Sequence, residues 1–307
     1  MKLSWCAPLL LGMSLAAQAL PTTLVEFTRR ADCIVRARVL LVRDDGEGGR
    51  SAVFLTQEVL RGDAPRTFGL AENGIAGCTS TIARLLPGSG VLLFLDRQDA
   101  AFAPCNGDPR AVAPLEPGLV EHCRTLLAMA SQPVQLRAGL FAALDIGSPR
   151  ARQDAATELT RSPALLDATL LERAILRREL EAEITRPDAA ALALINAAAR
   201  LVDSELDGLL LAAALDGRCP TLTPVITHEL AVRPPEALAQ LVARALAAAP
   251  QRASAALRMA TGLPAANAAA VRAALRSAPD PLVRALEQRS SPSAEAPVFR
   301  SIQPRSR

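Results

Sequence analysis

The residues of this 307-residue chain that could hold chemistry are few: two histidines, six cysteines and several short acidic or glycine-rich runs. The histidines stand in His122-Cys123 and His228-Glu229. A zinc centre needs three or four converging nitrogen, sulfur or oxygen ligands. Two histidines in unrelated helical stretches with no Cys-x-x-Cys do not supply them, and His228-Glu229-Leu230-Ala231-Val232 lacks the second histidine of a zinc-protease helix. No metal and no cofactor is therefore expected. Asp44-Asp45-Gly46-Glu47 lacks the alternating ligands of a calcium loop and reads as a solvated hairpin tip. Gly88-Ser89-Gly90 is a turn before a strand, without the strand-to-helix context of a nucleophile elbow. A phosphate loop needs a lysine, and Lys2 is the only one. Arg61-Gly62-Asp63 spells the integrin-binding tripeptide, but Gly-Asp before Pro65 at a strand end is ordinary turn chemistry.

Paired carboxylates carry no short signature, so carboxylate catalysis leaves no trace to look for. Glu172, Glu179 and Glu183 share one helical face and read as a solvated edge. No residue set fills the complementary roles of an active site, and no catalytic residue is assigned.

Composition narrows the partners. The formal net charge is +3, or +2 without Lys2, which implies no strong attraction to nucleic acid or anionic membrane. Tyrosine is absent and the one tryptophan is Trp5, leaving seven phenylalanines as the large aromatics of the remaining chain. Stacking platforms for single strands need more rings than that. A partner surface would rest on Arg, Leu and Phe instead.

Residues 1–19 read as a secretory signal peptide: Lys2, an apolar run from Leu9 to Ala17, then Ala17-Gln18-Ala19 as the cleavage site before Leu20-Pro21. The run is shorter than a membrane span, so no stable membrane insertion is expected after cleavage. Export to the periplasm or outside the cell places Cys33, Cys78, Cys105, Cys123 and Cys219 where disulfides persist. Five is odd, so one stays unpaired within the chain. Cys78 and Cys105 flank the strand Val91–Leu95 and are the first disulfide candidates, with Cys33 and Cys123 the second; spacing alone leaves the connectivity open.

The elements that would position these groups fall into two parts. In residues 20–115, Thr22 to Arg30 reads as a short helix capped by Thr22 or Thr23. Cys33 to Val42 alternates as a strand, with Cys33, Val35, Ala37, Val39 and Leu41 on one face and Arg36 and Arg38 on the other. After a turn-rich loop, Ser51 to Leu60 returns with Val53, Leu55 and Val59 on one face, and further strands are expected at Arg66–Leu70, Gly90–Leu95 and Ala101–Pro104. This order, with Ala31-Asp32-Cys33-Ile34-Val35-Arg36-Ala37-Arg38-Val39, Glu58-Val59-Leu60-Arg61-Gly62-Asp63, Cys78, Pro87-Gly88-Ser89-Gly90-Val91-Leu92-Leu93-Phe94-Leu95 and Cys105-Asn106-Gly107, resembles a group of exported bacterial domains. Those are similar to the OB-type five-stranded barrel of netrin-like modules and tissue inhibitors of metalloproteinases. The resemblance implies a small OB-like β-barrel. It does not carry the inhibitory mechanism across, because that uses a cysteine at the mature N-terminus, whereas here the expected start is Leu20 and Cys33 lies inside a strand.

In residues 118–288, prolines at 133, 149, 163, 187, 220, 235, 250, 264 and 279 punctuate Ala-, Leu- and Arg-rich segments. Each reads as a helix start, where the missing N–H costs nothing. Two helices per unit give a period of about thirty residues, within the range of stacked helical repeats. Ala164 to Ile184 reads as a longer, central helix, with Leu166, Leu170, Ala174, Leu180 and Ile184 on one face and Leu171 and Ile175 opposite. Pro149 to Leu159 resembles the second helix of a HEAT-like repeat. No residue recurs at a fixed place in every unit, so an irregular helical bundle stays open. Residues 289–307, rich in Ser, Pro and Arg, read as a disordered tail.

The fold class expected is α+β in two domains, an OB-like barrel followed by an all-α HEAT-like or bundle domain. The function expected is an exported, non-catalytic protein-binding or scaffold protein of the cell envelope. The alternatives are an inhibitor or regulator of an extracellular hydrolase acting through the barrel, and a carboxylate-dependent enzyme. A protein partner is expected, and neither nucleic acid nor membrane.

Overall fold

A computed structural model of the protein describes residues 22–46, 49–72, 82–98, 101–129, 132–145, 148–162 and 166–290. Thr23 opens helix α1 (Leu24–Arg30) with a capping box: its hydroxyl accepts from the Glu26 N–H while Glu26 accepts from the Thr23 N–H. Ala31 and Asp32 turn the chain into an antiparallel sheet of β1 (Cys33–Gly46), β2 (Gly49–Arg61), β3 (Thr67–Glu72), β4 (Gly90–Gln98), β5 (Ala101–Pro104) and β6 (Val112–Pro114). The order is β3-β2-β1-β4-β5, with β6 also on β4.

The sheet is curled, and a run of register shifts along β1 and β2 helps bend it. Its inner face buries Cys33, Val35, Ala37 and Val39 of β1 with Phe54, Phe68 and Leu93, and a 3-10 turn at Ile82–Arg84 contributes Ile82 to the same core. Phe68 on β3 stacks on Phe54 at 5.5 Å and meets Phe102 of β5 edge-on at 5.4 Å. The two ends of the strand order thus meet through side chains; among the described residues no backbone ladder joins β3 to β5.

Two strand faces differ from expectation. In β2 the buried residues are Ala52 and Phe54, while Val59 is 39% exposed, so Val53, Leu55 and Val59 are not the core face. Phe54 sits opposite Phe68 in the β2/β3 register, and burying that aromatic pair decides which face turns inward. In β1 the alternation holds through Val39 and then breaks: a register shift between Val39 and Leu41 leaves both Leu40 and Leu41 exposed.

Eleven helices follow among the described residues: α2 (Leu119–Met129), α3 (Pro133–Leu144), α4 (Pro149–Arg161), α5 (Leu170–Thr185), α6 (Ala191–Arg200), α7 (Ser204–Asp216), α8 (Thr223–Ala231), α9 (Pro235–Ala248), α10 (Ala253–Thr261), α11 (Ala265–Arg276) and α12 (Pro281–Ser290). They form two layers. The odd helices α3, α5, α7, α9 and α11 pack in sequence, and α2, α4, α6 and α8 form the other layer, which α10 and α12 continue. Alanines at 151, 155 and 156 on α4 and at 197 and 198 on α6 are fully buried, which lets these helices approach closely.

Proline opens α3, α4 and α9 as expected and caps α11. Pro163 lies outside the described residues. The last helix starts at Pro281, two residues beyond Pro279. The long central helix is shorter than expected. It begins at Leu170 because Thr169 and Glu172 form a capping box there, and Leu166, Leu170 and Leu171 stand exposed.

Sheet and helices share a core. Leu24 and Phe27 of α1 with Ile34, Leu92 and Phe94 on the outer sheet face belong to the same apolar cluster as the helices through Val283. Phe27 stacks on Phe94 at 5.2 Å. The connector is held as well: the Leu115 N–H donates to the Gly90 carbonyl, and Glu116 accepts from the Arg150 N–H and the Ser148 hydroxyl at the start of α4. A carboxylate at a helix N-terminus is favourably placed, so the joint between the parts is a built contact.

Candidate functional site

The helical array is joined by arginine–carboxylate pairs, and these decide which charged groups are left for function. Arg137 reaches Glu172 at 3.2 Å, Arg173 reaches Asp203 at 2.9 Å, and Arg152 gathers Glu183 at 3.3 Å, Glu179 at 3.8 Å and Asp188. Arg233 makes a two-pronged contact to Asp207, both bonds 2.8 Å. Several partners stand 30 to 36 residues apart, about one helical pair along the chain.

Glu172, Glu179 and Glu183 are therefore buried, at 8%, 9% and 3% exposure, and not the solvated edge their spacing suggested. They line one helical face, as the spacing required, but arginines of α3 and α4 cover that face. Burial raises the Glu172 carboxyl, and hydrogen bonds from Thr169 together with Arg137 outweigh it and hold the group below its usual range. Glu183 is pushed up by burial, with the Asp188 carboxylate beside it. Acids gathered at one half-buried arginine have the geometry of a structural clamp, since a carboxylate taken out of water needs a matching charge.

The histidines and cysteines do not converge. His122 is buried in α2 and His228 is exposed on α8, and among the described residues no group of three or more His, Cys, Asp or Glu could hold a metal. Cys33 lies in the inner sheet core and Cys123 in the helical core, and both are unbridged thiols, as are Cys105 and Cys219. The alternation of β1 sends Cys33 to the face turned away from α2, so this pair is not joined. Cys78 lies outside the described residues. Burial pushes the Cys105 and Cys123 thiols up to about 12, Asp96 adding to the first and Asp154 to the second. Neither is a thiolate at neutral pH, and neither has the reactivity of a nucleophile.

The remaining motifs are spent on structure. Arg61 donates to the carbonyl of Thr28 at 2.6 Å at the end of α1, so the arginine of Arg61-Gly62-Asp63 is tied down. In the acidic hairpin, Asp44 is 3.8 Å from Arg50, while Glu47 and Gly48 lie outside the described residues. Arg38 donates to the carbonyl of Gly88, and Ser89 to Leu86, fixing the turn before β4.

Two buried groups near the junction of sheet and helices titrate in opposite senses. Asp154, next to Arg150, is pushed up to about 6 by burial, an effect Arg150, Arg110 and Arg161 only partly oppose. His122 is lowered to about 4 by burial, and its Nε2 has no hydrogen-bond partner. The raised acid contributes stability that is present below pH ~3.8 and lost as pH rises through about 6. The depressed histidine contributes stability that is present above pH ~6.5 and lost as pH falls toward 4. Each effect is worth roughly 3 kcal/mol, so between pH 4 and 6 they offset and urea midpoints should be nearly level. In a His122→Leu variant the offset is gone, and its midpoint should fall steadily as pH rises from 4 to 6. A level profile in that variant would show that Asp154 does not titrate there.

What remains open is surface. Between α8 and α10 runs a groove of about 1160 Å³, lined mainly by apolar atoms and including Thr227, Val232, Met259 and Leu263. Val232 is 68% exposed at its edge. On its rim stand His228 and Arg258, neither with an acidic partner among the described residues. α10 packs on α7, α11 and α12 and leaves α8 across the groove. Among the described residues no helix is long and apolar enough to cross a membrane. Comparison of the chain with protein-family models, with curated proteins and with solved structures finds no match.

Proposed function

We propose that this chain is an exported, non-catalytic protein-binding or scaffold protein of the cell envelope, working through the groove between α8 and α10. The groove is the observation that carries the reading: it is an open surface of about 1160 Å³ lined mainly by apolar atoms, on an array whose buried acids are already matched by arginines. Its occupant is an apolar polypeptide segment with an acidic flank, because the rim offers His228 and Arg258 without acids of its own. Export rests on the signal-like residues 1–19. The front part is read as an OB-like barrel resembling netrin-like modules. The strand order β3-β2-β1-β4-β5, with its ends brought together at Phe68 and Phe102, supports that reading.

Selection of displayed random dodecapeptides on the immobilised full chain tests the groove. Enriched peptides should combine apolar residues with Asp or Glu. Val232→Asp, at an exposed position that tolerates a charge, should weaken them about tenfold by repelling the acidic flank. Peptides without that pattern, or binding unchanged by Val232→Asp, would remove the groove from the account.

A further inference from the structure

The opposite layer of the array holds a smaller recess with different chemistry. It has a volume of about 420 Å³ and lies between α5, α7 and α9. Three guanidinium groups and one carboxylate border it: Arg177 from α5, Arg244 from α9, Arg252 from the turn that follows α9, and Glu205 from α7. Two of the guanidinium groups are already matched. Arg177 pairs with Glu181 and Glu205, and Arg252 forms a two-pronged contact with Asp216. Arg244 is exposed and has no acid or hydrogen-bond partner among the described residues.

Gly208, in the interior of α7, lines the recess. A glycine there costs a helix stability relative to alanine. Packing does not ask for it: a Cβ built at Gly208 would meet no atom within 4 Å. Its φ is not in the left-handed region that would require glycine either. An alanine here would project its methyl group into the open space, and that space is bordered by an unmatched arginine.

We propose that this recess is a second binding site, distinct from the α8/α10 groove, which takes the carboxylate of an acidic segment of a partner polypeptide on Arg244. Guanidinium and carboxylate match in charge and in planar geometry, and the neighbouring Arg252–Asp216 contact is the same pairing made within the chain. A side-chain carboxylate on a short stem suits a shallow recess of this size beside Gly208.

Binding of a fluorescein-labelled decaglutamate peptide to the full chain, followed by anisotropy at low salt, tests the site. Gly208→Ala changes no charge and should raise the melting temperature, yet weaken the peptide about tenfold. Arg244→Gln should weaken it by a similar factor, while Arg200→Gln, which removes one exposed charge at the end of α6, should not. Peptide binding that survives Gly208→Ala and Arg244→Gln unchanged would overturn the site and reduce the interaction to general charge attraction. Displacement of the peptide by inorganic phosphate at concentrations where free glutamate has no effect would overturn the carboxylate assignment. Val232→Asp should leave decaglutamate binding intact, so failure of the groove and failure of the recess give different results.

Discussion

Arg233→Met should lower the stability of the helical array by about 3–5 kcal/mol, the largest loss expected from a single charged side chain here. Arg233 and Asp207 are each 6% exposed, and the guanidinium binds both Asp207 oxygens at 2.8 Å and the carbonyl of Ala199 as well. Its own carbonyl accepts from Asn267 Nδ2 at 2.9 Å, so one residue links α6, α7 and α11. Removing the guanidinium leaves the Asp207 carboxylate buried without its counter-charge, which costs more than the pair itself contributes. The double variant Arg233→Met with Asp207→Leu should therefore recover most of the loss, since an apolar pair of similar size avoids both desolvation penalties. Urea unfolding followed by far-UV circular dichroism measures both. A double variant as unstable as Arg233→Met alone would show that the bond to Ala199 carries the effect, and not the buried ion pair.

How far the sequence foretold this clamp depends on which physical signal it uses. Proline at a first helical turn is a local event, so Pro133, Pro149 and Pro235 marked α3, α4 and α9 directly. Alternation along β1 is also local and placed Cys33, Val35, Ala37 and Val39 on one inner face. Arg233–Asp207 and Arg152–Glu183 join elements that lie apart along the chain, and nothing within one helix reveals them. The glutamates of α5 were legible as one face; whether that face met water or arginine was a question about α3 and α4. A scan for arginines and acids 30 to 36 residues apart would have found the pattern that a search for a repeated apolar residue missed. The groove and the recess were not legible at all. Each is an absence of packing between helices, and Gly208 becomes informative only once the space above it is known to be empty.

Gly62→Ala should cost about 3 kcal/mol or more, although the residue is exposed and its neighbours spell an adhesion motif. Gly62 has φ +74°, in the left-handed region that side-chain-bearing residues adopt only under strain. A Cβ there would lie 2.3 Å from the Asp32 carbonyl oxygen and 3.1 Å from the Cys33 Cα. Both obstacles are backbone, so no rotamer change relieves them. The corner after β2 must move away from the connector between α1 and β1, and that connector is fixed from both sides: Arg61 caps the end of α1, and the Asp32 carboxylate accepts from the Arg97 N–H at 3.0 Å. By contrast Arg61→Ala removes hydrogen bonds at a partly exposed site and should cost only about 1 kcal/mol. The local readout is Cys33, 2% exposed and the first residue of β1. In Gly62→Ala, labelling of Cys33 by iodoacetamide, located by peptide mass spectrometry, should accelerate well before the helices melt. A variant that melts like the natural chain with Cys33 still protected would show that the two backbones can separate without strain.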